Sequence, residues 1–221
     1  TFNRITHPQL FRMGGGDRAD LLVPDGWEIV GGADTGTFTS AVLVMFSPKG
    51  ESFFIDEFTN YRYVSGVIEL NEQTTIPQWC EEVFRVGKHR GMGAVSLWAD
   101  KNSQFKRELG NQRDYALILE STLTPIEART EISREYFQHD RIWLAPWLSV
   151  LPFELENARW PEEASAAGKF ARIKDRDHTL DSLEHVLSKR PRGRGVAVQK
   201  DVRTWAETYF GQPPRSHRHH K

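Results

Sequence analysis

Apolar positions along this chain fall in short blocks whose period changes along its length. WEIVGGAD (27–34) is a short apolar run ending in an acid. AVLVMF (41–46) is a continuous apolar block of strand length, SPKG (47–50) is a turn with Pro at its second position, and SFFIDEF (52–58) is a third strand. Three strands on short connections predict an antiparallel meander. A helix is predicted from about Ile76 to Lys88, with Pro77 in its first turn. GMGAVSLWAD (91–100) is a buried-type strand that again ends in an acid. SQFKRELG (103–110) predicts a short helix closed by Gly110, and YALILE (115–120) a strand. TPIEARTEISREYFQ predicts a helix with Thr124 as N-cap, Pro125 at its first position and Glu127 in the capping-box place. RIWLAP (141–146) is a short strand, 147–168 is mixed with Pro152 and Pro161 interrupting it, and KFARI (169–173) is a candidate last strand. DHTLDSLEHVLS (177–188) is an amphipathic helix with Leu180, Leu183, Val186 and Leu187 on one face.

Three strands, then alternating helices and strands, then a closing helix predict an α/β domain with a mixed sheet flanked by helices. Residues 1–26, with a GGG run, scattered charges and Pro24, are read as a linker; 27–188 form the domain; 189–221 are a C-terminal arm in which QKDVRTWAETYF (199–210) predicts a short helix.

Composition narrows the class. The 221 residues suffice for one sizeable core, and no apolar run approaches the roughly 18 residues of a membrane helix. No signal-peptide pattern opens the chain, and its start at Thr1 fits a fragment or a processed product. The single cysteine, Cys80, excludes an internal disulfide and is read as core packing. Net charge is −1, but residues 189–221 carry nine Lys/Arg against two acids, a net +7 that leaves −8 on the remaining 188 residues. Such an arm is either a solvated tail or a phosphate-contacting element built on Lys189, Arg190, Arg192 and Arg194.

Acids mark the candidate chemistry. Asp34 and Asp100 each end a strand, Asp177 opens the last helix, and Asp181 lies one turn on along the same face. Ligands gather outside strand ends in α/β sheets, so carboxylates distant in sequence can converge there. Hydrolysis of a phosphodiester requires stabilisation of an attacking and a leaving oxygen, which two divalent ions provide. Three or four Asp without a His or Cys cluster suit Mg²⁺ or Mn²⁺ rather than zinc. Each acid alone has a plainer reading, as a turn former or a helix cap. The small residues of GGADTGT around Asp34 leave room for a phosphate or an ion to approach the backbone.

These motifs resemble the nuclease domain of viral terminase large subunits, within the RNase H-like class. The series IVGGADTGTFTSAVLVMF, SPKG, FFIDEF matches the family's opening meander; VSLWAD carries its middle acid; Asp177-His178-Thr179-Leu180-Asp181-Ser182-Leu183 matches its Asp-His-x-x-Asp-Ala-Leu motif, with Ser182 replacing the usual Ala. The resemblance covers about 27–188. It implies an RNase H-like fold and an endodeoxyribonuclease with two Mg²⁺ or Mn²⁺ ions on Asp34, Asp100, Asp177 and Asp181, the first three being catalytic. It also implies double-stranded DNA as substrate, a terminase small subunit and a portal as partners, and the host cytoplasm as location. The family's packaging ATPase needs a Walker A loop; no GxxxxGK[ST] occurs, so no nucleotide is expected here.

Other residues are ambiguous. Asp56 and Glu57 are either extra ligands or structural acids; Lys101 and Arg107 are read as DNA contacts against a plainer surface role, with Arg62 and Arg113 on neighbouring connections; His178 is a donor to a metal-bound acid or a surface residue; Trp98, Trp143 and Trp147 are read as core. Three rivals stand beside the terminase reading. Asp34-Thr35-Gly36-Thr37 resembles the phosphate loop of actin-type ATP folds, although 221 residues are short for that class. A Holliday-junction resolvase-like nuclease would share the acids, and a non-catalytic packaging-interaction module would use them structurally.

Overall fold

The computed structural model describes residues 1–13, 15–71, 74–100, 117–122, 124–158 and 177–189. In chain order these form β1 (Glu28–Asp34), β2 (Ser40–Phe46), β3 (Ser52–Thr59), β4 (Tyr61–Val64), β5 (Val67–Leu70), α1 (Ile76–His89), β6 (Val95–Ala99), β7 (Leu117–Ser121), α2 (Ile126–Gln138), β8 (Ile142–Leu144), α3 (Val150–Asn157) and α4 (His178–Leu187).

The six-stranded sheet has the order β7-β6-β1-β2-β3-β8. β1, β2 and β3 form the expected antiparallel meander, while β6 and β7 extend it parallel to β1 and β8 parallel to β3. β2 is therefore the one strand of this sheet that opposes the others. Its seven residues are all buried, as its unbroken apolar sequence requires of a strand covered on both faces. From β1 the chain builds outward in one direction through β2 and β3, then returns to β1's other side through β6. That reversal makes the C-terminal ends of β1 and β6 a topological switch point.

Several expectations change. α1 carries the capping box, with Thr75 and Gln78 exchanging bonds, whereas α2 begins after Pro125 rather than Thr124 and has no side-chain cap. Pro152 does not interrupt a helix: it lies in the first turn of α3, where its missing N–H costs nothing. The β4–β5 hairpin is new to the sequence reading, because YRYV and VIEL are only four residues each. Residues 1–26 contribute Phe2, Leu10, Phe11 and Leu21 to the domain's core, and Phe2 N–H donates to Leu144 O at 3.0 Å. Trp143 and Trp147 pack against that core, but Trp98 is only half-buried and carries the Lys189 ammonium 5.0 Å from its ring centre. The helix expected at 103–110, the strand at 169–173 and the helix at 199–210 lie outside the described residues.

α4 packs across β1, β2 and β6. The closest approach is at Gly32, where a Cβ would stand 2.0 Å from the backbone oxygen of Ser182. Gly32 thus admits the helix rather than a phosphate, which corrects the reading of the GG pair. At Gly31 a Cβ would strike the Leu97 side chain at 2.2 Å. Gly32→Ala must push α4 off the sheet, and it is expected to cost about 1–3 kcal/mol of stability, the usual range for overpacking. An unchanged urea midpoint would show that the helix has slack at this contact.

Candidate metal centre

Asp34 is the last residue of β1, and Asp100 directly follows β6. The two strands are parallel with Ala33 opposite Ala99, so the next residues on each, Asp34 and Asp100, leave the sheet side by side. α4 brings the remaining acids: Asp177 is its N-cap residue and Asp181 lies in its first turn, both only 6% exposed. His178 Nδ1 lies 2.7 Å from Asp34 Oδ2, which fixes this first turn against the end of β1. Ser182, the departure from the family motif, has a use here. Its Oγ accepts the Asp34 N–H at 2.8 Å and shares a 2.7 Å bond with Ser40 Oγ, while the Ser40 hydroxyl donates to His178 O at 2.8 Å.

Each strand-end carboxylate is braced on one oxygen. Asp34 Oδ2 takes His178, and Asp100 Oδ1 takes Arg129 Nη1 of α2 and His185 Nε2 of α4, both at 3.2 Å. Arg129 Nη1 also lies 2.8 Å from His185 Nδ1. With Nδ1 accepting from Arg129, the Nε2 proton faces Asp100. His185, then Arg129, hold the Asp100 carboxyl well below the usual carboxylate range, against the opposing effect of partial burial. For His178, burial lowers the imidazole pKa, but the bond to Asp34 and the charges of Asp34, Glu154 and Asp177 outweigh it, and the net shift is upward. Among the described residues, Asp34 Oδ1 and Asp100 Oδ2 accept no hydrogen bond.

Sequence reasoning does not find Glu154, Arg129 or His185. Glu154, on α3, is 1% exposed. Its Oε2 accepts from Thr179 N–H (2.7 Å), Thr179 Oγ1 (2.5 Å) and Leu180 N–H (3.1 Å), and its Oε1 from the Tyr61 and Tyr63 hydroxyls at 2.8 Å. It thus caps α4 from outside, and Asp177, although it stands at the N-cap position, makes no capping bond. Phe38 and Tyr61 pack on the His178 ring, with centroids 5.3 and 5.5 Å away.

The other candidates divide. Asp56 is fully buried between Arg90 (2.9 Å) and Arg18 (2.5 Å), and Glu57 accepts the N–H groups of Ser149, Val150 and Leu151 at the start of α3, so both acids are structural. Arg62 faces Glu69 at 3.8 Å on the hairpin. Lys101, Arg107, Arg113, Arg190, Arg192 and Arg194 lie outside the described residues.

Carboxylate oxygens make up this donor set. Among the described residues no three His, Cys, Asp or Glu side chains are grouped as a ready cage. Mg²⁺ does not require one, because it binds through one or two carboxylates and takes its other ligands from water and substrate phosphates. Two adjacent strand-end carboxylates, each with one braced oxygen and one that accepts no bond from the described residues, fit that pattern.

Burial pushes the Glu154 carboxyl above its ordinary value of 4.5, and its donors only partly oppose this. The folded state therefore holds this proton more tightly than the unfolded chain does. The contribution is full below pH 4.5 and is lost as pH rises through the raised folded value. Glu154→Gln can keep Oε1 on the helix N–H groups and turn its amide to the tyrosine hydroxyls, which can accept. Its stability is expected to lack this decline, while Glu154→Ala loses roughly 3–5 kcal/mol by leaving five donors unpaired. Chemical denaturation from pH 4 to 8 checks this, and parallel curves for wild type and Gln would refute the assignment.

No family model matches the chain, and no curated protein matches it. Solved structures do. The large terminase of a thermophilic bacteriophage aligns at TM-score 0.55 and 17% identity over 76% of this chain, which spans 41% of that protein. The large terminase nuclease domain of bacteriophage SPP1 with bound Mn aligns at TM-score 0.53 and 15% identity, covering 73% of this chain and 86% of that one. The large terminase nuclease of the thermophilic phage G20c aligns at 0.52 and 14%, covering 76% and 84%, and it is also known with bound magnesium and with bound cobalt. The mixed sheet with its leading meander, flanked by helices, is thus the RNase H-like fold of large-terminase nuclease domains.

Proposed function

We propose that this chain is a metal-dependent endonuclease that cuts duplex DNA in viral genome packaging, as the nuclease part of a terminase large subunit. The observation that carries the reading is the pairing of Asp34 and Asp100 at adjacent parallel strand ends, with the first turn of α4 brought against Asp34. Asp34, Asp100, Asp177 and Asp181 are the residues that would hold Mg²⁺ or Mn²⁺. When bound, two such ions supply charge to the attacking and leaving oxygens and acidify a water. His178, Arg129 and His185 orient the two strand-end carboxylates, and among the described residues one oxygen of each is left for this purpose. A small subunit and a portal are the packaging partners that the reading implies.

Plasmid digestion tests it. Nicking or linearisation with little sequence preference is expected with Mn²⁺ or Mg²⁺ and none in EDTA; undiminished cutting in EDTA would overturn the metal mechanism. Asp34→Ala, Asp100→Ala and Asp177→Ala are each expected to slow cleavage roughly a hundred-fold or more, about 2.7 kcal/mol of barrier, while the chain stays folded.

The arm has its own test. Lys and Arg that neutralise phosphates release counterions, so log affinity falls with log salt by about 0.9 per phosphate. Truncation after Ser188 is expected to weaken DNA binding and flatten that slope, while cutting at low salt persists. Equal slopes with and without the arm would assign it to a protein partner.

A further inference from the structure

We infer that the two strand-end carboxylates are unequal ligands: Asp34 holds a divalent ion in the free protein, whereas Asp100, whose Oδ1 is shared with the buried Arg129 guanidinium, takes one only when a DNA phosphate is in place. The inference rests on the metal-dependent reading above and deepens it.

The asymmetry lies in the partners. Among the described residues no guanidinium or ammonium is within ion-pair distance of Asp34; its carboxylate is bonded to the His178 imidazole. Asp100 faces Arg129 at 3.2 Å, a permanent cation whose side chain is 6% exposed. Water and salt screen a charge buried to that degree poorly. A doubly charged ion arriving at Asp100 meets that fixed positive charge across one carboxylate. Nor can Asp100 turn away freely. Among the described residues it is the one carboxylate at ion-pair distance from Arg129, and its withdrawal would leave the guanidinium buried and unpaired. Asp100 itself is 56% exposed, so a substrate phosphate can reach an ion held there. The phosphate adds negative charge and oxygen ligands together, which offsets the repulsion from Arg129. Arg129 is thus a positioning residue that holds Asp100 ready and keeps its ion conditional on substrate.

Loss of a merely structural arginine would weaken metal binding or leave it alone, whereas loss of an opposing charge strengthens it. Mn²⁺ binding to the full chain without DNA, followed by the paramagnetic resonance signal of free Mn²⁺, reads the difference without cleavage. Asp34→Asn is expected to weaken binding roughly ten-fold or more, and Asp100→Asn by less than about three-fold. Arg129→Gln is expected to strengthen the weaker site roughly ten-fold, with Arg129→Lys resembling wild type. Equal losses in the two Asp variants, or no strengthening in a folded Arg129→Gln, would overturn the inference and leave the metal reading standing. If Arg129→Gln does not fold, the two Asp variants decide. No Mn²⁺ binding by the wild-type chain at millimolar concentration would sink the metal reading and this inference with it.

Discussion

The contact between Gly32 and Ser182 is the constraint on which the rest of the molecule depends. A helix backbone meets a strand backbone there with no side chain between them, because only glycine leaves the required space. At that separation a single serine hydroxyl can reach both strands: Ser182 Oγ accepts the Asp34 N–H and bonds Ser40 Oγ. It also sets the two imidazoles of α4 at the ends of β1 and β6. His178 and His185 are seven residues apart, nearly two helical turns, and they meet Asp34 on β1 and Asp100 after β6 respectively. A helix held farther away by an alanine at position 32 would place neither ring at hydrogen-bond distance.

Holding α4 so close creates a second problem, which the chain solves with buried acids. A helix N-terminus pressed against the core exposes N–H groups that water cannot reach. Glu57, from β3, satisfies those of α3; Glu154, from α3, satisfies those of α4. Each element therefore caps the next, and the relay ends at the turn that carries Asp177, His178 and Asp181. The same Glu154 receives both tyrosine hydroxyls of β4, so the small hairpin is tied to this turn as well. Caps of this kind are worth about 0.5–2 kcal/mol each, but their larger effect is on position, since they leave α4 little freedom to slide along its axis.

The parts of this arrangement legible in the sequence are those written as local period. Short apolar blocks identify β1, β2 and β3, and the spacing of Leu180, Leu183, Val186 and Leu187 identifies α4. Asp34 and Asp100 stand out because a strand that ends on an acid is visible without knowing its neighbours. The features that escape such a reading depend on pairs far apart in the chain. Glu154 reads as one acid in a proline-interrupted stretch, and Arg129 as a surface residue of α2; nothing within a few residues of either announces burial. The β4–β5 strands are too short for alternation to show. Asp56 and Glu57 are ambiguous for a related reason. An acid on a strand declares that it needs a partner, but whether the partner is an arginine, a helix end or an ion is decided by elements that arrive later in the chain.

That last point explains how nearby carboxyl groups can differ in role. Asp56 and Glu154 are buried more completely than Asp34 and Asp100, yet their partners use both oxygens: two arginines for Asp56, five donors for Glu154. Charge and hydrogen-bonding capacity are balanced at those sites, so an added cation has no oxygen to bind without breaking existing bonds. At the strand ends the described partners engage only one oxygen of each carboxylate. Asp34 has one imidazole, Asp100 shares its contacts on one oxygen, and the turn that carries His178 also carries Asp177 and Asp181. The N-terminus of α4 would ordinarily help offset such an excess of acid, but Glu154 already occupies its N–H groups. The helix dipole beside Asp34 is thus already engaged by a structural carboxylate. Among the described residues it is the unbonded oxygen on each strand-end carboxylate, more than the count of acidic residues, that distinguishes this candidate ion site from the other buried acids of the fold.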